Sequence, residues 1–197
     1  RDFDFQVTDY WKTCVPPAVV KFDTDWLKTE EGKRITAEYH YCQKYIVDHN
    51  KNPHPTIHHA ADAVVFFKGH VLLVKRGAQP GLGLFALPGG HLNLKERTFD
   101  CAIRECVEET KFKIRPEWMT GFFLADAPGR SNRGRYISSC YGFKVPDDYS
   151  TSLPIVQGGD DAKSAHWRSL SEIRNDLEER MFEDHLDIIN ELAKTVK

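Results

Sequence analysis

Nowhere does the chain run through the roughly 20 consecutive apolar residues that a membrane-spanning helix requires. The pattern of a secretory leader is also missing, so no membrane partner is expected. Basic residues hold no excess: 27 Lys and Arg face 29 Asp and Glu, for a net charge of −2. That balance argues against a general nucleic-acid binder, which draws its affinity from a basic surface. No Cys-x-x-Cys pair occurs. The five cysteines (Cys14, Cys42, Cys101, Cys106, Cys140) are odd in number and scattered, which fits neither a disulfide framework nor a zinc site. They read as reduced thiols acting as small hydrophobes, with a cytoplasmic setting expected. Internal repeats and low-complexity tracts are absent too. Position 1 is Arg rather than Met, and the chain is expected to be a fragment or a processed product.

What the sequence does contain divides in two. Residues 1–59 are expected to form a helical N-terminal segment and linker, the tail of a missing first domain. Pro16-Pro17 opens one short helix, and Ile35, Tyr39, Cys42 and Ile46 mark a longer helical stripe. Residues 49–59, with Pro53 and Pro55, read as an extended linker that also holds His54, His58 and His59. Residues 60–197 form the second unit. Segments 63–67 and 70–74 flank Lys68-Gly69 and read as a hairpin. Segments 118–125 and 136–145 are further strands, a buried strand begins at His166-Trp167, and 185–196 carries the 3.6-residue period of a closing helix.

The most informative stretch follows a Leu-Pro-Gly-Gly turn. Residues 98–110 read as a helix whose apolar side comes from Phe99, Ala102, Ile103, Cys106 and Val107. On it Glu105 and Glu109 share a face, while Arg104 stands four residues before Glu108. Like charges at that spacing destabilise a helix by roughly 0.2–0.5 kcal/mol. A divalent cation reverses the sign, because clustered carboxylates are the ligands that hard ions such as Mg²⁺ or Mn²⁺ require.

This segment resembles the Nudix box. Gly90, Glu96, Arg104, Glu105, Cys106, Glu108, Glu109 and Phe112 stand in register with its pattern, and Lys111 replaces its glycine. There, either a positive φ or a different helix ending is expected. The resemblance implies an α/β fold, a Nudix-type α/β/α sandwich with a mixed β-sheet, preceded here by the short helical segment. It also implies metal-dependent hydrolysis of a diphosphate-linked nucleotide by water. Under it the metal ligands are Glu105, Glu108, Glu109 and the Gly89 carbonyl. Glu96 lies about 14 Å before Glu105 if the helix ran unbroken. It reaches the cluster only through a fold-back of residues 92–95, either to the metal or to hold Arg104. Arg104 itself is expected to orient the catalytic carboxylates Glu105 and Glu108.

The flanks narrow the resemblance to the C-terminal Nudix domain of bifunctional nicotinamide mononucleotide adenylyltransferase/ADP-ribose pyrophosphatases. They are Lys75 to Gly90, Arg130-Ser131-Asn132-Arg133-Gly134-Arg135, Gly159 to Trp167, and Met181-Phe-Glu-Asp-His185. What it implies is a small nucleotide substrate, ADP-ribose cleaved to AMP and ribose 5-phosphate, with NADH, dinucleoside polyphosphates or oxidised nucleotides as alternatives. A sensor that binds without cleaving is the other-class alternative. Arg130, Arg133 and Arg135, with Arg76, suit phosphate oxygens, with Ser131 and Gly134 letting the backbone approach; the rival reading of the loop is a solvated basic surface. Asp160 and Asp161, on a loop expected to be mobile through Gly158-Gly159, either complete the metal site or act as base, or are plain turn residues. Trp167 is expected in the core and His185 in a cap or packing contact. No adenylyl transfer is expected of these residues themselves, since nothing before Asp62 supplies a Gly-rich phosphate loop, although it remains open to a longer parent chain. Residues 1–59 would dock to a missing adenylyltransferase domain or to a second copy as a homodimer.

Overall fold

The computed structural model describes residues 28–30, 33, 36, 57–78, 80–131, 133–177 and 180–196. The chain divides into two units, Arg1–His54 and Pro55–Lys197. In the first, Glu30, Lys33 and Thr36 are helical and Lys33 pairs with Glu30 at 2.8 Å. The expectations for Cys14, Pro16-Pro17, the stripe from Ile35 to Ile46, and His54 lie outside the described residues.

The second unit is built on one seven-stranded mixed sheet. Strands β1 (Ile57–Phe67) and β2 (His70–Arg76) form the expected hairpin. Lys68 (φ 45°) and Gly69 (φ 73°) make its two-residue turn, the left-handed pair that matches strand twist. β3 (Phe85–Ala86), β4 (Gly89–His91), β5 (Met119–Ala125), β6 (Arg135–Lys144) and β7 (Ala162–Ser169) complete the sheet. The order is β3-β2-β1-β6-β5, with β4 also on β1 and β7 also on β2. β1 runs parallel to β6, and the other pairings are antiparallel.

Two boundaries differ from expectation. β1 begins at Ile57, so His58 and His59 belong to a strand rather than a linker. Pairing with β6, from Ile57↔Arg135 onward, supplies their backbone partners. His58 stacks on Tyr136 at 4.8 Å and His59 Nε2 meets Ser139 Oγ at 3.1 Å. β7 likewise starts at Ala162, extended by its pairing along β2.

Alternation along the strands builds two cores. Ala61, Ala63, Val65 and Phe67 pack with Leu72, Val74 and helix α1 (Thr98–Thr110). Val64 and Phe66 join Val71 and Leu73 against helices α2 (Leu170–Asp176) and α3 (His185–Ala193). A strand covered on both faces is why residues 63–67 read as one apolar run. The result is the α/β/α sandwich. Cys101, Cys106 and Cys140 are free and buried, Trp167 packs against the α1-side core, and no helix of the described residues is long and apolar enough to cross a membrane.

α1 ends on Lys111, which takes φ 58° where glycine is favoured. Its amide donates to the Val107 carbonyl and its Nζ to the Glu108 carbonyl at 2.8 Å. Side-chain and backbone donors thus satisfy carbonyls that the helix end leaves without partners.

Candidate active site

α1 presents its carboxylates toward the Gly89-Gly90 strand, and Arg104 organises them. Its guanidinium donates from Nε and Nη2 to both oxygens of Glu96 (2.7 and 2.9 Å). From Nη1 it donates to Glu105 (2.7 Å) and Glu108 (2.8 Å). The loop before α1 therefore folds back, and Glu96 serves as the anchor of Arg104. That fork holds the Glu96 carboxyl down to about 2. Asn93 adds an amide to the same carboxylate.

Glu105 and Glu109 are buried on the shared face. Burial raises the Glu105 pKa, with Arg104 opposing and Glu108 and Asp160 adding to the rise. Burial pushes Glu109 further, to about 8; Glu105 and Asp62 add to the rise, while the Gly89 amide and Arg76 oppose it. Glu109 accepts that amide at 3.0 Å. Glycine is required at both neighbouring positions. A Cβ on Gly90 would collide with the Glu105 carboxylate, and one on Gly89 with Asp62.

Among the described residues no three His, Cys, Asp or Glu side chains converge on one point; arginine and amide donors hold the box carboxylates instead. The donor set nevertheless fits a hard divalent cation. It is all oxygen, and it places two buried carboxylates side by side with raised pKa values, a repulsion that a cation relieves.

The aspartate loop is tied down rather than free. Gly159 N–H donates to the Glu109 carbonyl (3.1 Å) and Gln157 N–H to that of Thr110 (3.0 Å). These amides cap the C-terminus of α1. A Cβ on Gly159 would meet the Glu108 carbonyl and Lys111, and one on Gly158 the Ser164 backbone. Close approach, not mobility, explains the glycine pair. Asp160 (φ 50°) and Asp161 are both exposed, and Asp161 lines a cleft with Glu109, Gly89 and Arg76.

The four arginines separate by role. Arg76 and Arg133 lie on the cleft, their guanidinium carbons 4.2 and 5.3 Å from the Phe182 ring centre, and Arg133 also covers Tyr136 at 4.1 Å. Arg130 reaches the same wall, yet its side chain is 4% exposed and doubly bonded to Asp184 (2.6 and 2.8 Å). Arg135 donates to the Asp126 carbonyl at 2.6 Å and does not line the cleft. Ser131 is spent on Glu183 at 2.7 Å, and Arg133 Nη2 joins the same carboxylate at 3.1 Å. The arginine loop and the Glu183-Asp184 segment are thus bonded to each other, across more than 50 residues of sequence.

Sequence reasoning passed over Asp62, Tyr136 and His91, which line the cleft, and gave His185 a cap or packing contact. A charged residue directly before the apolar run 63–67 was the available signal for Asp62.

A NUDIX domain model matches residues 57–192. A curated ADP-ribose pyrophosphatase of Methanocaldococcus jannaschii is 33% identical over 141 residues, covering 72% of this chain and 75% of that protein. The crystal structure of a bifunctional NMN adenylyltransferase/ADP ribose pyrophosphatase from Francisella tularensis is 36% identical, with a TM-score of 0.68 over 88% of this chain and 51% of that one. Its complex with AMP and a manganese ion is 37% identical, again at 0.68, over 87% and 51%. The present chain therefore spans about half the length of the Francisella protein.

Proposed function

The chain belongs to the Nudix family, and on that premise we propose that it hydrolyses the diphosphate of ADP-ribose to AMP and ribose 5-phosphate. The observation that carries this reading is one cleft lined by Glu109 together with Arg76 and Arg133. A diphosphate laid there meets guanidinium donors beside the box carboxylates. The M. jannaschii relative, matched over most of its length, supports ADP-ribose as the substrate.

Glu105, Glu108 and Glu109 with the Gly89 carbonyl would hold the cation, Mg²⁺ or Mn²⁺. Bound there, it would neutralise charge on the nonbridging oxygens and acidify a water. Arg104 keeps Glu105 and Glu108 in position, and Glu96 keeps Arg104. Arg76 and Arg133 bind and orient the diphosphate. Asp161 lines the cleft, which supports giving it the role of taking the proton of the attacking water. The water oxygen bonds to one phosphorus as that phosphorus parts from the bridging oxygen. We place the activity in the cytoplasm and assign the residues before β1 to docking, on a partner domain or a second copy.

The test follows AMP by chromatography with Mg²⁺, then Mn²⁺, then chelator. AMP formed with metal and lost with chelator is the expected result. Glu109→Gln should lower turnover by at least a hundredfold with thermal unfolding still cooperative. Near-normal turnover in that variant rules out the ligand assignment.

A further inference from the structure

His185 opens α3 and Asp62 sits in the middle of the sheet on β1, and each is only 6% exposed. His185 Nδ1 accepts the Leu87 amide proton at 2.9 Å. An imidazole that accepts at Nδ1 carries its proton on Nε2. Asp62 Oδ2 accepts the Ser138 hydroxyl and lies 3.8 Å from the Cys140 thiol, while Oδ1 packs over Gly89, where any side chain would displace it. Among the described residues neither His185 Nε2 nor Asp62 Oδ1 has a hydrogen-bond partner, and both residues line the cleft beside Glu109.

Two polar side chains more than nine-tenths buried therefore each leave one atom on the cleft lining without a partner among the described residues, free to meet a ligand there. The pair offers one donor and one acceptor. A phosphate does not suit the pair, because Asp62 Oδ1 offers an anion no donor. A vicinal diol suits the pair: one hydroxyl donates to a carboxylate oxygen, and the next accepts from an imidazole N–H. Ala60, Ala86 and Leu87 supply the small apolar wall against which a sugar ring can lie.

We infer that Asp62 and His185 form a ribose-diol subsite beside the diphosphate, with Asp62 Oδ1 accepting from one hydroxyl and His185 Nε2–H donating to its neighbour. The inference rests on the reading of the substrate as a nucleoside diphosphate sugar. ADP-ribose offers two such diols, that of the adenosine and that of the terminal ribose, and the test separates them. Both residues position substrate and stay clear of the reacting phosphorus.

Calorimetry would compare AMP with 2′-deoxy-AMP for the adenosine side, and ribose 5-phosphate with 2-deoxyribose 5-phosphate for the terminal side. In one pair the deoxy compound should bind the wild type at least tenfold more weakly. That gap should shrink to threefold or less in His185→Asn, whose amide oxygen can still accept from Leu87, and in Asp62→Asn. The His185 Nε2–H proton resonance of the wild type should move with the ribo compound and stay in place with the deoxy one, which reports on the contact without any variant. Equal affinities within both pairs, an unmoved resonance, or a gap retained in both variants overturns the assignment. Failure of the substrate reading shows separately, as a wild type that releases no AMP from ADP-ribose yet still discriminates ribo from deoxy ligands.

Discussion

Replacing Asp184 with asparagine would leave the Arg130 guanidinium charged, buried and short of its counter-ion. The Arg130 side chain is 4% exposed and that of Asp184 23%, with two bonds of 2.6 and 2.8 Å between them. Removing one partner of a buried pair destabilises by about 3–5 kcal/mol. Partial exposure of Asp184 and one oxygen retained by asparagine bring the expectation to about 2–3 kcal/mol. For a chain of this size about 1 kcal/mol shifts the melting temperature by 2–4 °C, so Asp184→Asn should melt about 4–12 °C lower. Arg130→Met removes the stranded charge and leaves an aspartate that water can reach, so its loss should be smaller, about 1 kcal/mol. The double variant Arg130→Met/Asp184→Leu should melt within a few degrees of Arg130→Met alone. Thermal unfolding of the four proteins, beside KM for ADP-ribose, decides the matter. A wild-type melting temperature in Arg130→Met together with a tenfold or greater rise in KM would refute the reasoning, and make Arg130 a substrate contact rather than a tether between two segments.

Burial lowers the His185 pKa below its ordinary value of 6.5. The unfolded chain therefore takes up a proton that the folded one refuses, and stability intact above about pH 6.5 declines as the pH falls further. Denaturant midpoints at pH 7.5 and 5.5 should separate more for the wild type than for His185→Asn; equal separations would exclude burial as the cause. Lys111→Gly relieves a left-handed φ of 58° but gives up the bond to the Glu108 carbonyl. A net gain of about 0.5–1 kcal/mol is expected, and an unchanged or lower melting temperature contradicts it. Gly89→Ala drives a methyl into Asp62 beside the Glu109 bond. It should cut kcat/KM at least tenfold and lower the melting temperature, and full activity would mean that the close approach is dispensable.

Local signals were legible and distant partners were not. Helix α1 was read to its ends because its apolar spacing and its charged face are both properties of consecutive residues. The hairpin was read because Lys68-Gly69 is itself the turn. The first six residues of β1, Ile57-His-His-Ala-Ala-Asp62, show no alternation, and their strand character comes from β6, some 80 residues on. The same distance hid the use of Arg130 and Ser131. A basic loop read alone suggests anions, and its actual anions are Asp184 and Glu183 of the same chain. Gly158-Gly159 suggested mobility because sequence shows the freedom of glycine and not the helix end pressed against it.

The segment around residue 182 has a consequence for how the protein is made. β3 has only two residues, and Met181 bridges Phe85 while the Phe182 amide donates to the Phe85 carbonyl. His185 then takes the Leu87 amide across 98 residues of sequence. A ribosome that has delivered α1 has already produced every box glutamate, but the cleft residues Arg133, Tyr136, Phe182 and His185 are still untranslated. Until residues 181–185 emerge, the nascent polypeptide carries the box motif without the contacts that this segment makes to Phe85 and Leu87. On the proposed activity, a chain truncated before residue 181 is expected to be inert although all its box residues are intact.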